Sequence, residues 1–330
     1  MEYRQLGTSD VHVSEIILGT WAIGGWMWGG TDDDAAIAAI RKSIDIGMTS
    51  IDTAPMYGFG HSEEVIGKAI EGRRDQVQLL TKYCLRWDLE EGTYYFETKL
   101  PDGTPTKVYR NACKHSIMKE VEDSLRRLGT DYIDVYQCHW PDFSTPYEET
   151  MEAMDELLKQ GKIRAAGVSN FDAEMMQRCL SVVHIASNQP PYSMLKRDIE
   201  NDVLPFCMKN NIGLIVYSPL QNGILTGKVT MDRSFPATDL RHSSPYYKPE
   251  NRRRILEFLD RIKPIAEAHN ATLAQLVINW TIHRPGVTAA LVGARNPQQV
   301  KENAAAAELS LADEQVAQID ALLDELQLAV

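Results

Sequence analysis

Four residues suited to moving protons recur along the first half of the chain. Asp52 and Tyr57 stand five residues apart in the segment 50–67, SIDTAPMYGFGHSEEVIG, where a strand pattern runs into a glycine-bearing loop. Lys82 closes VQLLTK, and His139 follows IDVYQC. A free phenol has a pKa of ~10, too high for easy proton donation at neutral pH. A neighbouring ammonium favours the phenolate and lowers that value. Lys82 could supply the ammonium, and Asp52 could hold it charged by an ion pair. His139 could hydrogen-bond a carbonyl oxygen. Such a set suits proton transfer coupled to hydride delivery at a carbonyl, with Tyr57 as the acid. Taken singly, each residue has a plainer reading: a loop-packing Tyr, a surface or capping Lys or Asp, a satisfied structural His. The case rests on their standing at the ends of successive strands.

The elements that must position them alternate. Strand-like segments occupy 16–23, 50–54, 77–83, 133–140, 163–170, 185–190, 213–220 and 287–294. Several are continuous apolar runs, as expected of parallel strands buried on both faces. Helical periodicity lies between them. In DDAAIAAIRKSIDIG, Ile37, Ile40 and Ile44 share a face and Gly47 supplies a stop; in PYEETMEAMDELLKQG, Met151, Met154, Leu157 and Leu158 repeat the pattern before Gly161. Eight such units predict an α/β fold, a closed (β/α)8 TIM barrel whose chemistry sits at the C-terminal ends of the strands. The glycine fingerprint of an open dinucleotide-binding sheet is missing, so a nicotinamide cofactor is not expected on a Rossmann turn. Two long segments break the rhythm, 85–109 after the third strand and 221–249 after the seventh. Long loops in a compact domain are usually functional. The first carries Trp87, Tyr94, Tyr95 and Phe96. Its length and the Pro-Asp-Gly turn at 101–103 suggest an ordered lid, and its composition suits a peripheral or partner-binding loop equally. No domain boundary is apparent, so residues 1–330 read as one barrel domain.

Composition narrows the classes. A formal net charge of −12 disfavours nucleic acid and anionic membranes as partners. The start lacks a secretory pattern, no apolar run approaches the ~20 residues of a membrane span, and the five cysteines are scattered without a C-x-x-C pair. A cytoplasmic protein with reduced thiols is expected. His-Glu-x-x-His spacing is absent, and no catalytic metal is expected. In HSEEVIG, Ser62 reads as a helix cap with glutamates in the first turn. At 293–303, Gly293-Ala294-Arg295 leads into NPQQVKEN, with Asn296 as N-cap, Pro297 at the first helical position and Gln299 as capping-box partner. A helix N-terminus with a nearby arginine suits a phosphate. Trp21, Trp26, Trp28, Trp87 and Trp140 stand near strand ends, where they could line a substrate pocket or simply pack the core.

These motifs in this order resemble the aldo-keto reductase superfamily: SIDTAPMYGFGHSEEVIG, the Thr81-Lys82 pair, His139-Trp140, GVSNF (167–171), SNQPPYS (187–193), YSPLQNGILTGK (217–228) and VGARNPQQVKENAAA (292–306); the overall length and YSPLQNGILTGK resemble its bacterial branch. The likeness covers nearly the whole chain. It implies a barrel that binds NADP(H) extended, with Asp52, Tyr57, Lys82 and His139 as a catalytic tetrad. It further implies that Ser169, Asn170 and Gln189 hold the nicotinamide carboxamide. Tyr217 would stack on the nicotinamide ring. Ser218, Leu220 and Gly223 would follow the pyrophosphate; Gly19, Thr20 and Trp21 would stand beside the cofactor. Gly293, Arg295, Gln299 and Asn303 would meet the adenosine 2′-phosphate and adenine, favouring NADP(H) over NAD(H). The activity implied is reduction of a small-molecule aldehyde or ketone, sugar-derived carbonyls included, to an alcohol. The competing reading is an NADP(H)-binding redox sensor of the potassium-channel β-subunit type. A metal-dependent sugar isomerase would need a ligand cluster that the sequence does not present. The sequence sets no oligomeric state.

Overall fold

Eight short parallel strands pair edge to edge until the last meets the first. The computed structural model describes residues 1–25, 30, 32–236 and 239–329. The chain opens with a hairpin, β1 (Tyr3–Gln5) and β2 (His12–Ser14), then enters the barrel through β3 (Ile16–Gly19), β4 (Ser50–Asp52) and β5 (Gln78–Tyr83). An excursion follows, β6 (Leu85–Arg86), β7 (Thr93–Lys99) and β8 (Pro105–Arg110). The barrel resumes with β9 (Ile133–Cys138), β10 (Ile163–Ser169), β11 (Ser187–Gln189), β12 (Gly213–Val216) and β13 (Ala289–Gly293), which pairs with β3. All eight barrel strands fall inside the segments expected, and the fold is the (β/α)8 barrel.

The pleat sorts side chains into two cores. Leu80, Val135, Ala165 and Ile215 point into the barrel, where Leu6, Val11 and Val13 join them from the N-terminal hairpin segment. Leu79, Tyr83, Tyr136 and Val168, of opposite parity, pack with the surrounding helices. In the helix Asp33–Asp45, Ile40 and Ile44 are buried and Ile37 is partly so, with the Asp32 side chain capping Ala35 N–H. Met151, Met154 and Leu157 are buried on the helix Tyr147–Lys159, and Leu158 is partly so.

The structure corrects four local readings. The N-terminal hairpin went unread, because its strands are three residues each. The segment 85–109 is a small antiparallel sheet, β6-β8-β7, rather than a loop. Gly60, not Ser62, starts the helix His61–Ile70; the Ser62 hydroxyl is buried and donates to Thr20 Oγ1 at 2.9 Å. Gln299 accepts from Arg295 N–H at 2.8 Å, one residue before the N-cap amide of a standard capping box, while Asn296 does cap Gln299 N–H at 2.9 Å. Among the described residues no helix is long and apolar enough to cross a membrane.

Candidate active site

Inward parity continued to the C-terminal ends of the strands brings polar groups above the apolar barrel core. Asp52 ends β4, Lys82 lies on β5, Gln137 on β9 and Gln189 ends β11. Lys82 Nζ donates to Asp52 Oδ1 at 2.5 Å and to the Thr53 carbonyl at 2.8 Å. The other carboxylate oxygen, Oδ2, accepts from Gln189 Nε2 at 2.8 Å and Gln137 Nε2 at 3.2 Å. Gly167 makes room for this layer: a Cβ there would stand 2.9 Å from Gln137 Cγ and 2.5 Å from Ser187 Oγ.

Tyr57 reaches the same group from the loop after β4. Its hydroxyl lies 3.5 Å from Lys82 Nζ. The loop is seated by a close glycine approach. Gly58 adopts φ +70, and a Cβ on it would stand 2.3 Å from the Gly24 carbonyl oxygen. The His139 ring meets the Tyr57 ring edge-on, centroids 5.9 Å apart, and Trp21 stacks on Tyr57 at 6.2 Å. The four candidate residues are therefore together.

Burial sets their protonation. It pushes the Tyr57 phenol well above its ordinary value, and the Asp52 charge adds to this. The lowering expected from Lys82 does not prevail over this desolvation, and the phenol stays a proton carrier. Burial depresses the Lys82 ammonium, while Asp52 and then Glu63 pull it back. Burial, and then Lys82, holds the His139 imidazole well below its ordinary range, so the ring is neutral near pH 7.

Asp52, Tyr57 and His139 open into a cleft of about 610 Å³; Lys82 lies just beneath its lining. The cleft passes Gly19, Thr20 and Trp21, then Ser169, Asn170 and Gln189. It continues along Tyr217, Ser218, Leu220 and Gly223 and ends at Gly293, Arg295, Gln299 and Asn303. Every residue expected along the cofactor path thus borders one cavity. The side-chain amides at its near end already carry hydrogen bonds within the protein. Asn170 Nδ2 donates to the His139 carbonyl at 3.1 Å, and Asn170 Oδ1 accepts from Tyr217 at 2.9 Å. An incoming carboxamide must share or exchange these bonds. At the far end Arg295 is exposed and, among the described residues, forms no ion pair with a carboxylate. Gly223 has φ +95, and a Cβ on it would meet nothing within 4 Å. The backbone there is open to a ligand.

Substrate-side expectations are redrawn. Trp21 and Trp140 line the cleft. Trp87 does not; it packs edge-on against Phe59, centroids 5.4 Å apart, behind Met56 and Leu85. Tyr94 is 53% exposed and faces Tyr109 rather than the cleft. Trp26 and Trp28 lie outside the described residues. Met56, Leu85, Tyr95 and Phe96 supply apolar lining. Sequence reasoning missed Gln137, whose inward parity with Val135 was the available signal. It also missed Asp142, a buried carboxylate that accepts from Thr93 Oγ1 and Ala112 N–H, both at 2.9 Å, and so fastens the small sheet to the barrel.

A sequence profile of the Aldo/keto reductase family matches residues 15–324, and the chain belongs to that family. An NADH-specific methylglyoxal reductase of Escherichia coli is 38% identical over 319 residues, 95% of each chain. A glycerol dehydrogenase, AKR11B4 of Gluconobacter oxydans, superposes with a TM-score of 0.89 at 39% identity, covering 98% of this chain and 95% of that one. An aldo/keto reductase of Klebsiella pneumoniae, solved with NADP and acetate, has a TM-score of 0.72 at 34% identity, covering 98% and 96%.

Proposed function

We propose that this chain is an NADP(H)-dependent carbonyl reductase, a single-domain cytoplasmic enzyme that converts a small aldehyde or ketone to an alcohol and can run the reverse oxidation. The observation that carries the reading is the Tyr57 hydroxyl, held 3.5 Å from the Asp52-paired Lys82 and facing the cleft beside His139. When bound, the dinucleotide supplies a hydride. Tyr57 supplies the proton to the carbonyl oxygen, and Lys82 stabilises the phenolate left behind. His139, neutral, donates a hydrogen bond that orients that oxygen. Asp52 keeps Lys82 in place and charged. The apolar walls Trp21, Met56, Leu85 and Trp140 exclude water, which strengthens each of these interactions.

The cleft's residues fit such a cofactor. Ser169, Asn170 and Gln189 offer an amide-recognising set, Tyr217 a flat ring, Gly223 an open backbone, and Arg295 an exposed cation beside the capped N-terminus of helix Pro297–Ala304. Arg295 favours the 2′-phosphorylated cofactor; the NADH-specific relative makes this preference a point to measure. Turnover supplies the test. Purified protein given NADPH and a panel of aldehydes, ketones and ketoses should consume NADPH with at least one of them. Tight NADPH binding with no consumption across the panel would favour the redox-sensor reading.

A further inference from the structure

We infer that Arg110, which does not line the cleft, is a positioning residue that sets how well the site accepts large carbonyl compounds. The inference rests on the carbonyl-reductase reading of the same site. Arg110 ends β8 and is the register partner of both Leu85 on β6 and Thr93 on β7, the point where the small sheet joins the barrel. Its guanidinium carbon stands 3.9 Å from the centroid of Tyr95 and 5.6 Å from that of Trp140. Nη1 donates to the Pro141 carbonyl at 3.3 Å. Nε is buried and has no hydrogen-bond partner. Stacking on aromatic faces therefore dominates the hold on this side chain, with one bond anchoring it to the loop that carries His139 and Trp140.

Tyr95 and Trp140 both line the cleft, their centroids 5.7 Å apart at 51°. Tyr95 belongs to the small sheet and Trp140 to the barrel. Arg110 touches both and bonds the residue after Trp140, so it fixes the spacing of two walls that come from separate elements. A small aldehyde needs only Tyr57 and His139. A larger one depends on those walls for orientation, and remote contacts of this kind are what raise the rate on extended substrates. A residue whose only task was to hold the sheet in register would act whether or not the Tyr95 ring is present, whereas one that positions Tyr95 loses its effect once that ring is removed.

The experiment compares propanal with 2-naphthaldehyde at saturating NADPH for wild type, Arg110→Met, Arg110→Lys, Tyr95→Leu and the Arg110→Met/Tyr95→Leu pair. Met keeps an apolar stem and removes the cation. Losing a cation–π contact should lower kcat/KM for 2-naphthaldehyde about three- to thirty-fold, mainly through KM. Propanal turnover and NADPH affinity should change less than about two-fold, and Lys should restore part of the loss. In the Tyr95→Leu background, Arg110→Met should add little, because contacting residues are not additive. Equal loss on both aldehydes, or full additivity with Tyr95→Leu, would overturn the inference while leaving the reductase reading intact. A wild type inactive on both aldehydes would overturn the inference, and the reductase reading falls with it only if the wider panel of aldehydes, ketones and ketoses is also left unreduced. Tyr95→Leu keeps the question open to refutation should Arg110→Met fold poorly: if that variant treats both aldehydes as wild type does, Arg110 has no wall to position.

Discussion

Removing the Lys82 side chain takes a cation from a buried carboxylate as well as from the phenol. Asp52 and Lys82 are 2% and 1% exposed, so neither charge has water to fall back on. Breaking such a pair from one side typically costs ~3–5 kcal/mol, most of it the uncompensated charge. Gln137 and Gln189 still donate to Asp52 Oδ2 and soften the loss. Lys82→Met should therefore lower the melting temperature along with activity. Asp52→Asn/Lys82→Met, which removes both charges, should recover much of the stability and none of the activity. Thermal unfolding and NADPH consumption measured on the three proteins separate the two effects; a Lys82→Met protein as stable as wild type would mean that the pair carries no buried charge.

The small sheet and its support show what an element adds to a site. Glu120, on the helix Lys114–Leu128, accepts from Cys84 N–H at 3.1 Å and Ser116 at 3.0 Å, just where β5 gives way to β6. Burial pushes its carboxyl up from 4.5 to about 7, against the pull of Arg86. The folded state thus holds a proton that the unfolded chain releases above its ordinary carboxyl pKa. Stability from this group is fully present below about pH 4.5 and is lost as pH rises through about 7. Glu120→Gln should flatten that slope, with a difference of roughly 3 kcal/mol between the two ends of the window. Denaturant unfolding at several pH values for both proteins checks it; parallel pH curves would show that Glu120 does not titrate in this window.

Much of this scale was legible in the sequence. Strands buried on both faces announce themselves as apolar runs, and helix faces as a 3.6-residue period, so the barrel and the strand-end positions of Asp52, Lys82 and His139 could be read directly. The small sheet could not. A register shift lies between Tyr94 and Phe96 in the β7–β8 pairing, and the consecutive Tyr95 and Phe96 both line the cleft. A bulge breaks the two-residue alternation on which strand reading depends. Trp87 shows the converse: an aromatic near a strand end serves as backing or as wall according to three-dimensional placement alone. The buried acceptor roles of Glu63 and Glu120 were equally hidden. Glu63 looked like a first-turn helix charge, yet its carboxylate accepts from Thr81 Oγ1 and Arg127 Nε, both at 2.6 Å.

Across the whole molecule the net charge of −12 works against an anionic ligand, so affinity must come from the local field of the cleft. Arg295 is an exposed cation at its far end, where Lys228 is a second, paired with Glu302 at 3.6 Å. Arg295→Ala should weaken NADPH binding by the ~1.5–3 kcal/mol of a charged hydrogen bond and leave NADH binding nearly unchanged. Fluorescence titration with both cofactors tests this; equal losses would place Arg295 in support of the loop rather than on the phosphate.

The central claim is that the strand-end cluster transfers hydride and proton to a carbonyl, with Tyr57 as the acid. Incubation with an aldehyde and NADPH deuterated at the transferable nicotinamide position tests it most directly, in wild type and in Tyr57→Phe. Wild type should yield deuterated alcohol. Tyr57→Phe should bind NADPH normally and form that alcohol about 10²- to 10⁴-fold more slowly, the usual contribution of a general acid. Alcohol without deuterium, or an unchanged rate in Tyr57→Phe, would contradict the account.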